Sequence, residues 1–574
     1  MEDWFQLVVS CYPLRGRRQF RPQRYINHVE RGLLLELLRK QRLGSASATV
    51  NKLPAVQMLL SKLTVVVVGY CWYDFNQDDC DFVLYKSRYW IESATVLMEA
   101  VAESVNEIIT SGPTSDILES LQHTLFGLDY TSLNVATNAL VVFSMFCMLI
   151  GQNTVNNENK NDQNSLRPDD WDLTKDKILQ GILRLLFATG AAEAIAGSYS
   201  PMASSVIASS RLSVCYFWEL VATSAVESSA HVRERAVKSF DSWILSRGAV
   251  GSLYAILFSS KPVPYLQYAA YVILSSEPIA DLAFVSQETS SLNKKDIIDK
   301  DPLDSSLETK IQLREEISVF LEKSIYEIID LDIVAPDRVH VFVAWSLMIS
   351  HLLSSPSTPT TEKLIQHIKY TSSSSIILDC IFQHIPLELC AASVNKKTAQ
   401  LPEGISEAAS HAITDNSVLF ALESLWPVGP DGIASFASAI YGLMLRSFPA
   451  KVRDWFNNIR DRTSSSAIEF FTRTYCSPHL ITNELSQIKK ANLCDENFSV
   501  SVSRSANEVV ATYTKEESNM NLVVRLPSSY ALRPVDVECT RSLGISEVKR
   551  RAWLHSIISF VPKQIYKRFA FNQA

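Results

Sequence analysis

Phe498-Ser-Val-Ser-Val-Ser-Arg504, Glu508-Val-Val-Ala-Thr-Tyr-Thr-Lys515 and Asn521-Leu-Val-Val-Arg-Leu526 lie within 497–554 and decide the fold, because they break a long helical pattern. Each run alternates apolar with polar residues, the period-2 signature of a half-buried antiparallel strand. Tyr530-Ala-Leu-Arg-Pro534 reads as a turn, Val535-Asp-Val-Glu-Cys539 as a further strand. From Ile545 to Phe560 apolar residues return at helical spacing. A small α+β module over residues 495–560 follows from this order.

Upstream, residues 1–490 read as helices of ordinary length separated by polar breaks. Ile317, Phe320, Leu321, Ile325, Ile328 and Ile329 step by three and four and put one apolar stripe on a helix. His231–Trp243 and Pro264–Leu274 carry alanines at matching helix positions about 33 residues apart, near the period of helical-hairpin repeats. No single hairpin buries its apolar face alone, so neighbours stack into one continuous core. The expected class is mainly α: a HEAT/armadillo-like α-solenoid followed by a small α+β domain. Polar loops are expected over 152–172 and 287–309, with shorter ones over 354–361 and 393–407. Ala136–Ile150 is 15 residues long and contains Thr137, Asn138 and Ser144, which favours a buried core helix, since a span needs roughly 20 apolar residues.

Composition points the same way. With 47% hydrophobic and 20% charged residues, the 574-residue chain can bury a large core. The ten cysteines form no C-x2-C pair and are expected to be buried free thiols in a reducing compartment. Glu2 and Asp3 stand where a secretory signal would be basic. The expectation is a cytosolic protein with no membrane and no DNA partner, since the net charge of −7 excludes a globally basic nucleic-acid binder. Both ends are nevertheless basic: residues 15–42 carry nine Lys/Arg against Glu30 and Glu36, and 541–574 seven against Glu547 alone. Such runs serve either as solvated helix faces or as phosphate contacts. His340, His351, His367 and His384 fall in helical stretches without metal-ligand spacing, and no phosphate loop, H-E-x-x-H or G-x-S-x-G appears.

The strands, the Tyr/Pro-bearing turn and the closing helix resemble an RWD domain, a relative of the ubiquitin-conjugating fold that recognises partners. Tyr441-Gly-Leu-Met-Leu-Arg-Ser-Phe-Pro449, Lys451-Val-Arg-Asp-Trp-Phe456, Asp461-Arg462, Tyr475-Cys-Ser-Pro478 and Glu484 come before it in the order of the C-terminal part of the listerin family. Trp4–Arg42, with Ser10-Cys-Tyr-Pro-Leu-Arg15, is similar to an internal segment of the same family. The resemblance implies a RING-type E3 ubiquitin ligase of ribosome quality control, which ubiquitinates nascent chains stalled on 60S subunits for proteasomal degradation. It also implies the 60S subunit and the stalled nascent chain complex as partners, and Arg533, Arg541, Lys549, Arg550 and Arg551 as ribosome-binding candidates. A zinc-bearing RING needs eight Cys/His ligands. After Arg551 only His555 is of that kind, so residues 561–574 are expected to be a divergent tail in place of the RING. The expectations are therefore no catalytic residue, no metal ligand and no cofactor in this chain, a ligase by family resemblance that is inactive as given for want of the RING, and a conjugating-enzyme partner only where a RING is present. Cys539 lacks a His-Pro-Asn type segment before it and is not expected to be a thioester cysteine. Ala531 stands where RWD domains usually have proline, so the turn loses a fixed φ. A non-enzymatic α-solenoid scaffold or adaptor is the alternative.

Overall fold

The computed structural model describes residues 24–44, 53–110, 130–156, 171–212, 214–241, 248–276, 312–321, 336–354, 373–390, 401–425, 428–490, 496–515, 518–543 and 546–548, with short pieces at 11, 14–15, 21–22, 284–285, 550–552 and 555. The chain divides into two units, Met1–Leu274 and Ser275–Ala574.

In the first unit the helices are α1 (His28–Gly44), α2 (Pro54–Cys71), α3 (Gln77–Thr110), α4 (Tyr130–Asn156), α5 (Trp171–Tyr199), α6 (Pro201–Leu212), α7 (Cys215–Val226), α8 (Ala230–Asp241), α9 (Gly248–Leu257) and α10 (Pro264–Leu274). The central helix is α5, which packs on α3, α6, α8 and α9. An apolar stretch from Ile178 to Ala196 is buried almost all round, the pattern of a helix enclosed on several sides. Val101, Ala102 and Val105 of α3 meet Ala192 and Ala196 of α5 and Ala203 and Ile207 of α6. The small alanines let these helices approach closely.

The expected core helix around Ala136–Ile150 is present and longer than its apolar run, with Ala139, Leu140, Val142 and Phe146 fully buried. Ser132–Gly151, Pro54–Asp74 and Trp171–Tyr199 are long and apolar enough to cross a membrane by length and composition, and most of each is buried against other helices. The paired alanines, Ala236 on α8 and Ala269 on α10, are both fully buried, as their repeat-like spacing requires.

The second unit contains α11 (Glu315–Leu321), α12 (Pro336–Ser354), α13 (Ser373–His384), α14 (Glu403–Asp415), α15 (Leu419–Glu423), α16 (Pro430–Ser447), α17 (Pro449–Asn457), α18 (Arg462–Phe471) and α19 (Ser477–Lys490). A π turn, Thr472–Cys476, joins the last two. Its hub is α16, packed on α12, α13, α14 and α17. Around that hub the Phe382 ring lies 4.8 Å from Tyr441, 5.3 Å from Trp455 and 6.4 Å from Phe471. The two polar tips in this cluster are satisfied: Tyr441 bonds Thr472 at 2.7 Å, and Trp455 Nε1 donates to Asp379 at 2.7 Å. Buried aromatic residues need such partners.

Differences from the sequence reading are local. The polar stretch 393–407 ends inside α14, because Ile405, Ala408, Ala409 and Ala412 form a buried stripe that outweighs its polar residues. Of the stripe from Ile317 to Ile329, α11 holds Ile317 and Leu321 buried and Phe320 half-buried, and Ile325, Ile328 and Ile329 lie outside the described residues. So do loop 287–309, residues 157–170, His367 and Cys494.

Four strands follow: β1 (Phe498–Ser503), β2 (Glu508–Lys515), β3 (Ser518–Arg525) and β4 (Asp536–Leu543). They form an antiparallel meander in chain order. Strand β3 starts earlier than Asn521 and β4 runs past Cys539, because hairpin pairing extends both ladders through polar residues. The residues 530–534 make the expected turn, and the Tyr530–Ala531 peptide bond is cis.

Two glycines mark where helices touch backbone to backbone. An alanine Cβ at Gly190 would sit 2.1 Å from the Ser252 carbonyl oxygen of α9, and one at Gly442 would sit 2.9 Å from that of Ala409. Overpacking of this kind costs about 1–3 kcal/mol. Gly190→Ala should therefore lower the urea midpoint more than Gly442→Ala, and an unchanged midpoint for both would contradict these close approaches.

Candidate functional site

Helix α19 covers one face of the sheet. Ile481, Leu485 and Ile488, spaced by four and three, present one stripe to Val500, Val502, Val509, Val524 and Leu526. At the edge of this contact the turn between β3 and β4 is clamped onto the helices. Ser477 Oγ, at the start of α19, donates to the Tyr530 carbonyl, and Arg453 Nε donates to that of Ala531 at 3.3 Å. Ser529 Oγ donates to Glu469 at 3.0 Å, while Arg533 grips the same carboxylate through Nε at 3.2 Å and Nη2 at 3.1 Å. The Arg533 guanidinium also lies 5.4 Å from the Phe456 ring. Planar, two-pronged donation and stacking suit arginine and would be lost with lysine.

The clamp perturbs its own groups. Hydrogen bonding to Arg533, and secondarily to Ser529, holds the Glu469 carboxyl below the usual glutamate range, against the opposing effect of burial. Burial pushes the Tyr530 hydroxyl up, with Arg453 opposing. In the wall behind, burial raises Cys476 and Tyr441, so both stay protonated at neutral pH.

The expected contact residues divide by position. Arg533 is engaged in the clamp. Arg541, on β4, is exposed and forms no ion pair among the described residues. Beyond it Glu547 takes Arg551 at 2.6 Å and Arg550 at 3.6 Å, and Arg550 is half-buried while Arg551 is exposed. Lys549 lies outside the described residues. Leu543 and Val548 are exposed beside these cations. Three further cations were not picked out from sequence: Arg504, in the turn after β1, donates to Ser486 at 3.4 Å, and Ser486 precedes Lys489 and Lys490 on α19 by three and four residues. All three cations are exposed. A Lys-Lys pair ending a helix, with an arginine in the following hairpin, was the available signal.

Among the described residues of the N-terminal basic run, four arginines are paired with carboxylates. Arg24 pairs with Glu30, Arg31 with Asp74, Arg39 with Asp79 and Arg42 with Asp78, at 2.8, 3.5, 2.7 and 3.3 Å. Residues 15–42 contain only the first of those carboxylates, which is why the run looks unpaired in sequence.

Cys539 lies opposite Leu522, beside the register shift between β3 and β4, and its thiol points to the Arg541 carbonyl at 3.5 Å. Among the described residues no group of three or more His, Cys, Asp or Glu could hold a metal ion. The arrangement is a sheet seated on the helices, with Arg541 on its outer strand and Arg504, Lys489 and Lys490 near one hairpin.

Comparison with known proteins follows this geometry. Residues 242–489 match the LTN1 family HEAT repeat region, and residues 498–565 match the ubiquitin conjugating domain-like family. The chain is 29% identical over 135 residues to the E3 ubiquitin-protein ligase listerin of Mus musculus, covering 24% of this chain and 8% of that protein. It is 36% identical over 109 residues to the Drosophila melanogaster listerin, covering 19% and 6%, and 32% over 106 residues to the Saccharomyces cerevisiae listerin, covering 18% and 7%. The matches thus span less than a tenth of these relatives' length. The C-terminal part of the chain resembles listerin: a HEAT repeat region followed by a ubiquitin-conjugating-like domain.

A glutamate whose pKa is lowered on folding adds stability that is complete above its unfolded value of about 4.3 and is lost as pH falls through the lower folded value. The stability difference between the native chain and Glu469→Gln should therefore be largest near neutral pH and shrink below about pH 4. Urea unfolding followed from about pH 7 to about pH 3, across the glutamate range, measures it, and a pH-independent difference would contradict the clamp.

Proposed function

We propose that this chain, with its listerin-like HEAT region and ubiquitin-conjugating-like domain, is the ribosome-engaging part of an E3 ubiquitin ligase acting in the cytosol on nascent chains stalled on 60S subunits. The observation that carries the reading is the seated sheet. Its clamp onto α17, α18 and α19 fixes the direction of β4, where Arg541 stands exposed and without an ion pair among the described residues, with Arg551 shortly beyond. A cation held without a partner on a rigid element suits a phosphate of ribosomal RNA, because neutralising that phosphate releases counterions. The mixed apolar and basic character, with Leu543 and Val548 exposed, suits a surface made of RNA and ribosomal protein together.

In this reading the helical repeats set the reach, and the sheet domain grips the large subunit. Ubiquitin transfer belongs to a zinc-held RING that recruits the charged conjugating enzyme. The described residues do not fit a zinc site, so no step of transfer is assigned to them. A scaffold of transport-receptor type has no need of a ubiquitin-conjugating-like sheet at the end of its repeats, and the order of the two matched regions favours the ligase reading.

The chain should co-sediment with 60S but not 40S particles, and binding should fall steeply as salt rises. Arg541→Ala should weaken it several-fold and reduce the slope of log affinity against log salt by about one. Equal recovery on 40S, or binding indifferent to salt and to Arg541, would contradict the proposal.

A further inference from the structure

Within the first unit a cavity of about 280 Å³ opens between α3, α5 and α8. Its floor is Ile91, Thr95, Ile178 and Gly181, and its walls carry Arg88, Glu92, Lys177 and Arg184. The sequence explains why it is there. Arg88, Glu92 and Thr95 recur on α3 at helical spacing, as do Lys177, Gly181 and Arg184 on α5, so two polar faces meet. Gly181 contributes no side chain to fill the gap, and a Cβ there would reach only Ile91, at 4.0 Å.

Its frame is hydrogen-bonded. Thr95 Oγ1 lies 3.3 Å from the Gly181 carbonyl, Arg184 Nη2 donates to Glu99 at 2.7 Å, and Gln180 Nε2 donates to Ser239 of α8 at 3.5 Å. These contacts join the helices on either side of the opening. The mouth, by contrast, is electrostatically unfinished. Arg88 and Lys177 are exposed and form no ion pair among the described residues, and Glu92 pairs with neither. Glu99 answers the charge of Arg184, whereas no ion pair among the described residues answers Arg88 or Lys177.

We propose that this cavity binds a phosphate group, borne on a monoester or free as inorganic phosphate. The volume is just below the range for ligand sites, roughly 300–1,000 Å³, which suits one compact anionic group. A phosphate monoester carries about −1.5 to −2 charge at neutral pH and three acceptor oxygens, a match to two unanswered cations that a single carboxylate does not make. Arg88 supplies forked N–H donors and Lys177 a point charge. Glu92 is the opposing charge and tunes the site downward. The group arrives either as a free phosphate or on a phosphorylated side chain, and the chemistry of recognition is the same. The inference is independent of any contact with the ribosome.

Calorimetric titration of the full chain with O-phospho-L-serine, inorganic phosphate and acetate tests it. Phosphoserine or phosphate should bind at least tenfold more tightly than acetate. The Arg88→Ala/Lys177→Ala double variant should lose at least tenfold in affinity, and Glu92→Gln should gain several-fold. These are exposed positions, so unchanged melting temperatures of the ligand-free variants will confirm that they fold. Tighter binding of phosphoserine than of phosphate assigns the site to a side chain, and equal binding assigns it to free phosphate. No heat with either phosphate probe, or affinity unchanged in the double variant, would overturn the proposal.

Discussion

A four-stranded meander has one face to bury and no means of burying it alone, and the C-terminal part of the molecule depends on how that need is met. A small sheet requires packing against another element for independent stability. Here α19 supplies it through Ile481 and Leu485. The helix is itself held in register by the π turn before it, whose Thr472 bonds Tyr441 in the aromatic cluster of α16. Order therefore passes from the repeat core to α19 and from α19 to the sheet. The ubiquitin-conjugating-like domain and the last repeat helices act as one packed body rather than as beads on a linker.

Electrostatics then separates charges that build from charges that remain available. Arg533 looks like a surface contact in sequence, yet it spends its geometry on Glu469 and Phe456. The arginines of α1 meet carboxylates near the start of α3. Arg541 has no such partner among the described residues, nor have Arg88 and Lys177 at the α3–α5 cavity. Exposed ion pairs contribute little stability each, but they decide which cations are left to attract an external anion. An unpaired cation on a rigid element is the recurring feature of both surfaces proposed for function.

Much of this was legible in the sequence, for identifiable reasons. The period-2 runs from Phe498 onward give the strands, because alternation is unambiguous where one face is buried and the other wet. Ala236 and Ala269 give the repeat-like helix positions, since a small residue at a close crossing leaves few alternatives. The site was less legible. The Glu469–Arg533 clamp joins residues 64 apart, and the carboxylates that neutralise α1 lie up to 43 positions away from its arginines. Such pairings depend on which helices meet, which no local pattern encodes. Likewise Gly181, unremarkable in the chain, opens a cavity only because Ile91 faces it across a helix contact.

The central claim is that the sheet is seated by α19 so that β4 faces the large ribosomal subunit. A cryo-electron microscopy map of the chain bound to isolated 60S particles tests it directly. The account predicts density for β4, with Arg541 against ribosomal RNA and α19 on the far side of the sheet. A map in which β4 faces solvent while another surface of the chain touches the subunit would contradict it.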